Sequence, residues 1–453
     1  MTMLVPEWQW GYDGWIVAIT ALVAMTCAIP GAFLLVRRQS MLGDAVSHAV
    51  LPGIAIGFLV SGTRDGGWML AGAIVAGLVT AMLTQVLRRV GGVDRGAALG
   101  VVFTTLFALG LVLIVQVADS VDLDPSCVLY GQVELAPLDV IDVGGFPVPR
   151  AVPWLLGVLV VTVFIVQVIW KELLVASFDP ATAAAQGGRP NLMQQILMVL
   201  VAAGCVVAFE AVGSILVVSL LVAPAAAARL VTNRLRPMML VAMLIGVLAA
   251  VGGHLSALLV PGGLGLETKD VSTSGATAVF ATFLVVVAVL VSPQQGLLVA
   301  MFRRLALRFR IAEEDLLGVL YRREVESRGL GSTAGAQLSE LGAGGPGLAF
   351  HGIMRFAAIR LRWAGSVTPF GLIPHPDQIK LTKAGRARAT VLIRRHRLWE
   401  LYLAGAAAIP LDHLHATAMD LEHLANPELL ESLEAEAAKS ARDPQGRDIP
   451  RSS

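Results

Sequence analysis

Over the first 300 positions the apolar residues come in long unbroken stretches, with neither the alternation of a half-buried strand nor the 3.6-residue stripe of a surface helix. A helix that crosses the hydrocarbon core of a bilayer needs roughly 20 mostly apolar residues. The stretches near 14–36, 45–61, 68–87, 97–117, 152–170, 192–211, 213–230, 237–260 and 275–299 meet or approach that length. The second and seventh are short and contain Pro52 and Pro224. A span with a broken hydrogen-bond ladder lines a cavity rather than facing lipid, so the pattern predicts eight or nine spanning helices. After residue 311 the pattern changes. Residues 311–328 read as an amphipathic helix opening on Glu313, Glu314 and Asp315, and a Gly-rich stretch follows at Gly342, Gly344, Gly345 and Gly347. Then come a basic helix near 350–363, a turn around Pro369–Pro376, helices near 382–404 and 411–437, and a polar tail. The expected fold is an all-α polytopic membrane protein with a mostly α C-terminal domain. The expected organisation is a membrane domain at 1–303, a water-exposed domain at 311–440 and a tail at 441–453.

Charge supports the same division. Of the 453 residues only 15% are charged and 56% are apolar, against about 25% charged in an average soluble chain. Charged residues number 29 in the first 300 positions and 38 in the last 153. This excludes a single soluble domain, a disordered chain and a basic nucleic-acid-coating protein. Three well-separated cysteines, Cys27, Cys127 and Cys205, form neither a disulfide framework nor a thiolate cluster. The first apolar stretch is long and followed by more of the same, so it reads as an anchor rather than a cleavable leader. Every second loop is basic: Arg37 and Arg38, then Arg88, Arg89 and Arg95, then Lys171 and Arg189, then Arg229, Arg234 and Arg236, then Arg303, Arg304, Arg308 and Arg310. The alternate loops are acidic or neutral, above all 118–150. Basic loops stay in the cytosol, which places the N-terminus outside and the C-terminal region in the cytosol.

An ionisable side chain inside a span costs at least a few kcal/mol and is a functional candidate for that reason. Asp44 and His48 are four apart, on one face of a helix and one turn from each other. A carboxylate with an imidazole suits a borderline divalent cation such as Mn²⁺, Fe²⁺ or Zn²⁺, while the bland reading is an Asp–His hydrogen bond between helices. Glu210, at the end of the sixth span, is either a pathway carboxylate or an interfacial residue at the outer rim. His254, among Gly252, Gly253 and Ser256, reads as a packing histidine at a close helix contact. Residues 177–190, SFDPATAAAQGGRP, make a short helix with a proline at its start and glycines at its end, either docking a soluble partner or simply joining two spans. No GxxxxGK[ST] phosphate loop occurs, so ATP-driven work would fall to another polypeptide and no nucleotide is expected on this chain.

Three of these stretches, in this order, carry a resemblance: Arg37–Gly53, FDPATAAAQG, and VGSILVVSLLVAPAAAARL. Together they resemble the permease of the manganese/zinc/iron class of ATP-binding-cassette importers, over roughly residues 10–300. The resemblance implies an extracytoplasmic metal-binding protein that delivers the ion, two permease subunits (identical or homologous) and two cytosolic ATPase subunits. By position it implies that Asp44 and His48 bind the transported metal. It also implies that residues 177–188, including Phe178, Asp179, Ala183 and Gly187, receive the ATPase.

The C-terminal third holds six of the eight histidines. His396 and Glu400 are i and i+4 on one helix, and His415, Met419, Glu422 and His423 share a second, so two helices can bring His, Glu and Met together around a divalent metal. The alternative is a pair of solvated charged helices. The strings LTKAGRARA, RRHRLWELYL, HATAMDLEHL and DPQGRDIP resemble the iron- and manganese-dependent repressor family, and EEDLLGVLY resembles its first helix. That resemblance implies a winged-helix DNA-binding half, a dimerisation half, and metal contacts from Asp315, His396, Glu400, His415, Met419, Glu422 and His423. The chain departs from the family's pattern at the recognition helix, where HGIMRFAAIRLRWAG offers Arg355, Arg360 and Arg362 to phosphate rather than to bases. It departs again at Gly318 and Met419, where manganese-selective members would offer carboxylates. The expected function is an importer permease for Mn²⁺, Zn²⁺ or Fe²⁺ with a fused cytosolic metal sensor. The rivals are a membrane-anchored metal-dependent DNA-binding regulator and a secondary transporter without an ATPase.

Overall fold

The structure is a computed structural model and describes residues 8–40, 45, 49–61, 66–118, 133–143, 145–263, 271–330, 348–368, 379–405, 433, 444 and 449. It divides into two compact units, 1–299 and 300–453.

The first unit is a helical bundle. Its helices are α1 (Asp13–Val36), α2 (Leu51–Ser61), α3 (Gly66–Gly91), α4 (Arg95–Ala118), α5 (Ala151–Val168), α6 (Trp170–Phe178), α7 (Pro180–Ala185), α8 (Pro190–Val212), α9 (Ser214–Val231), α10 (Leu235–Gly263) and α11 (Thr273–Val291). Among the described residues eight of these are long and apolar enough to cross a membrane, and α2 is a shorter apolar helix. The protein is a multi-pass membrane protein.

Centre and rim are told apart by burial. Of the most apolar window of α1 and of α8, 72% is buried, against 17% for α11. α1 packs on α5, α8, α9 and α10 and so forms the axis of the bundle. The rim helices turn large apolar side chains outward, among them Phe164 of α5 and Val279, Phe283 and Val286 of α11. In water such a surface would be an aggregation site, and in a bilayer it is the lipid-facing wall.

Small residues set the closest approaches, because lipid supplies no hydrophobic drive between helices and backbone contact must take its place. A Cβ placed on Gly53 of α2 would lie 2.1 Å from the carbonyl oxygen of Gly72 on α3, and the converse distance is also 2.1 Å. A Cβ on Gly31 of α1 would lie 2.1 Å from the Leu221 carbonyl oxygen on α9. Gly252 and Gly253 of α10 face Phe280 and Thr277 of α11.

Two features of the first unit differ from the sequence expectation. The apolar stretch at 275–299 does not form one helix: α11 stops at Val291, ahead of Ser292 and Pro293, and a turn closed by the Gly296 amide on the Ser292 carbonyl precedes a new helix. The acidic loop after α4 holds a small hairpin of β1 (Val140–Val143) and β2 (Phe146–Pro149), antiparallel, with Val143 opposite Phe146. Its turn uses Gly145 at φ 89°, whose amide donates to the Asp142 carboxylate.

Helix α12 (Leu297–Leu330) opens the C-terminal region and extends the amphipathic segment expected at 311–328 back to residue 297. Within the second unit α12 is followed by α13 (Leu348–Trp363) and α14 (Lys383–Gly405). Their core is formed by Leu316, Leu317 and Leu320 of α12, Ala358 and Leu361 of α13, and Ala389 of α14, with Val367, Ile379 and Leu381 from the connection. Val367 and Leu381 form an isolated antiparallel bridge in the connection between α13 and α14. Thr382 caps α14, its hydroxyl oxygen accepting from the Gly385 amide at 3.1 Å and its hydroxyl donating to the Gly365 carbonyl at 2.7 Å.

Candidate functional site

The end of the bundle where the basic loops gather is organised by Arg37. Helix α1 ends there in a Schellman motif: the Gln39 amide donates to the Leu34 carbonyl and the Arg38 amide to the Leu35 carbonyl. Arg37 then reaches across to α6 and α8. Its Nε donates to Ser177 Oγ at 2.9 Å and its guanidinium to Gln194 Oε1 at 2.5 Å. The Gln194 amide in turn donates to Gln39 Oε1 at 3.1 Å. One side chain thereby ties the central helix to the segment that leads into α7.

Helix α7 carries the candidate coupling residues. Asp179 is its N-cap, accepting from the amides of Ala181 and Thr182 at 3.0 Å each and from the Thr182 hydroxyl. The Thr182 hydroxyl and amide hold the Asp179 carboxyl below its usual value. Pro180 occupies the first turn, where a missing N–H costs nothing. Gly187 terminates the segment at φ 81°, and the Gly188 amide returns to the Ala183 carbonyl. Ala183 is buried against the bundle while Phe178 is 60% exposed. A six-residue helix is thus capped at both ends, anchored on one face and open on the other.

The opposite end of the bundle holds a polar cluster that the sequence did not bring together. Asp13, at the start of α1, and His254, on α10, are both buried, and their Oδ1 and Nε2 lie 3.1 Å apart. Thr273 Oγ1 lies 3.4 Å from the other imidazole nitrogen. The Glu134 carboxylate accepts from the Thr273 amide at 2.5 Å, and the Tyr12 hydroxyl donates to the Glu134 carbonyl at 2.6 Å. Burial, then the negative charges of Glu134 and Asp13, push the Tyr12 phenol above its usual value, so it stays a proton donor. His254 does sit at a close helix contact, beside Gly253 and Thr277, but it also has a charged partner. Asp13 at the head of an apolar run was the available signal, and its mate 241 residues away was not legible.

Asp44 and His48, the predicted cargo ligands, lie outside the described residues. Glu210 is exposed in the last turn of α8, three residues before the Gly213 cap.

In the second unit His396 and Glu400 are brought together on α14, Nε2 to Oε1 3.1 Å, both buried. Asp315 is half-buried on α12, and a Cβ on Gly318 one turn later would lie 3.6 Å from Leu392 of α14, so the two helices pack together there. His415, Met419, Glu422 and His423 lie outside the described residues. Among the described residues no three His, Cys, Asp or Glu side chains cluster as a metal site. The donors of His396 and Glu400 fit a divalent transition metal in chemistry.

Comparison with known proteins matches residues 14–292 to the ABC 3 transport family and residues 382–451 to the metal-binding and dimerisation domain of iron-dependent repressors. The manganese transport system membrane protein MntD of Bacillus subtilis (strain 168) is 39% identical over 295 residues, 65% of this chain and 97% of that protein. The zinc transport system membrane protein TroD of Treponema pallidum (strain Nichols) is 35% identical over 281 residues, 62% of this chain and 74% of that protein. Among solved structures, PsaBC from Streptococcus pneumoniae in complex with Fab is similar, with a TM-score of 0.52 at 29% identity, covering 62% of this chain and 92% of that one.

Proposed function

The chain belongs to the ABC 3 transport family, and from that premise we propose that it is the permease subunit of an ATP-driven importer of Mn²⁺, Zn²⁺ or Fe²⁺, with a metal-sensing domain fused at its C-terminus. The observation that carries this is the family match over 279 consecutive residues of an apolar bundle, with relatives named for manganese and zinc transport. The permease occupies 1–303, the regulator-like domain 311–440 and a tail 441–453. ATP hydrolysis belongs to a separate cytosolic subunit, and the partners are an extracytoplasmic metal-binding protein and a second permease subunit.

In this reading the ion enters a central cavity and is held transiently by Asp44 and His48. Two ligands of one oxygen and one nitrogen grip a borderline dication less firmly than a closed four-ligand cage, which suits release. The stroke of the ATPase arrives at residues 177–188. The cap on α7 and the Arg37 clamp support that assignment, because a rigid helix tied directly to the bundle axis passes on displacement. Glu210, exposed at the far end of α8, is either a pathway carboxylate or an interfacial residue at the rim. With the ATPase and binding protein reconstituted, uptake of Mn²⁺, Zn²⁺ and Fe²⁺ is compared. Asp44→Ala and His48→Ala are expected to abolish uptake while the complex still assembles. Normal uptake by both variants would remove the assigned site.

The C-terminal domain lowers transport when cytosolic metal is plentiful, sensed through Asp315, His396, Glu400, His415, Met419, Glu422 and His423. The match at 382–451 and the buried His396–Glu400 pair support this. A second reading, a DNA-binding regulator held at the membrane, draws on the isolated bridge after the basic α13. Against it, Arg360 already spends its guanidinium on Glu313 at 2.9 Å. A gel shift with the full chain in detergent and Mn²⁺ or Fe²⁺ separates the two: a metal-dependent, sequence-specific complex favours the regulator.

A further inference from the structure

Between the segment α6–α7 and the basic-loop ends of α1, α3 and α8 lies a cavity of about 630 Å³. Arg37, Arg38 and Arg88 line it, with Gln85, Asn191 and Gln194, and no carboxylate is among the described lining residues. Val36, Ala81, Met82, Phe178 and Met198 supply the apolar part of its wall, and Met82, 53% exposed on the outward face of α3, stands at one side. The volume is that of a small-ligand site, which spans roughly 300–1,000 Å³.

Arg38 and Arg88 at one cavity repel a dication, so this is not a resting place for the cargo. They suit an anion. Arg37 is pre-organised by Ser177 and Gln194, so little rotamer entropy remains to be lost on binding. Arg38 gives an independent indication. It occupies the left-handed position of the Schellman motif, at φ 55°, and is the sole non-glycine residue with positive φ among the described residues. Glycine is the ordinary residue there, and any L side chain costs roughly 1 kcal/mol. A strained arginine at the mouth of a basic cavity marks a use for its charge. The location adds the source. The cavity opens where α1 and α3 end in Arg37, Arg38, Arg88 and Arg89, the level of the cytosolic headgroups. Basic pockets between helices on that face take acidic headgroups.

We propose that this cavity binds the phosphate of an acidic phospholipid such as phosphatidylglycerol, with its glycerol and first acyl carbons against the Met82 side. The bound lipid sits behind α7 and braces the segment that receives the ATPase. The proposal rests on the membrane placement of the bundle, and its readout is lipid binding, which does not depend on the cargo or on the ATPase.

The test is native mass spectrometry of the full chain stripped in detergent and titrated with phosphatidylglycerol, phosphatidylcholine or inorganic phosphate. One phosphatidylglycerol is expected to be retained. Arg38→Gly, which relieves the backbone strain, and Arg88→Gln are each expected to weaken retention about fivefold. Lys171→Gln, on the same face but outside the cavity, is expected to leave retention unchanged. Equal retention of phosphatidylcholine, full retention by both arginine variants, or an equal loss in Lys171→Gln overturns the site. Displacement of the lipid by inorganic phosphate overturns the lipid as the source. Because Arg38→Gly installs the residue that this backbone favours, its unfolding temperature should hold or rise, and a fall would remove the strain argument.

Discussion

Asp13 and His254 are single residues on helices far apart in the chain, and each is the other's only charged partner among the contacts described at the end of the bundle opposite Arg37. Removing one leaves the other buried without it. Asp13→Ala and His254→Ala should each lower stability by about 2 kcal/mol, and the double variant should cost less than their sum. Thermal unfolding of the detergent-solubilised protein measures both. Asp179 behaves differently, because its carboxylate is solvent-exposed. Its folded-state pKa lies below the usual 3.8, so the stability it adds to α7 is fully present above that value. That stability is lost only as pH falls through the lower folded value. Uptake between pH 5 and 8 should therefore show no titration from this cap, and a pH profile of Asp179→Asn parallel to wild type checks it.

At the level of elements, the bundle is held by backbone contact. Gly53 of α2 and Gly72 of α3 leave no room for a side chain, whereas Gly100 of α4 has open space where a Cβ would stand. Gly53→Leu should therefore abolish the monodisperse folded protein, and Gly100→Leu should leave it intact, as size-exclusion profiles in detergent will report. A normal profile for Gly53→Leu would mean that α2 and α3 do not pack as described. Helix α12 carries a second consequence. Since α11 ends at Val291 and α12 begins at Leu297, the natural cut falls in the turn between them.

For the whole molecule, a chain ending at Gly296 should retain metal uptake in the reconstituted complex and lose its decline at high internal metal. Unchanged decline in the truncated protein would deny the sensing role of the C-terminal domain. The membrane permease and its cytosolic appendage were legible as two patterns of apolar residues, and the family match over 14–292 agrees with the first. Candidate ligands on one helix, such as His396 and Glu400, were also legible, because i and i+4 always meet on a helix. What joins distant helices was not.

The sequence by itself determined which segments are long and apolar enough to cross a membrane and where α7 is capped. Transfer of apolar groups into lipid is a local, additive quantity, and a cap depends on residues two or three positions away. Only the tertiary structure decided that Asp13 meets His254 across 241 residues, that Arg37 meets Gln194 across 157, and that three arginines from two helices enclose one cavity. Such pairings depend on which helices become neighbours. Backbone contact at a few glycines settles that choice, and no periodicity along the chain encodes it.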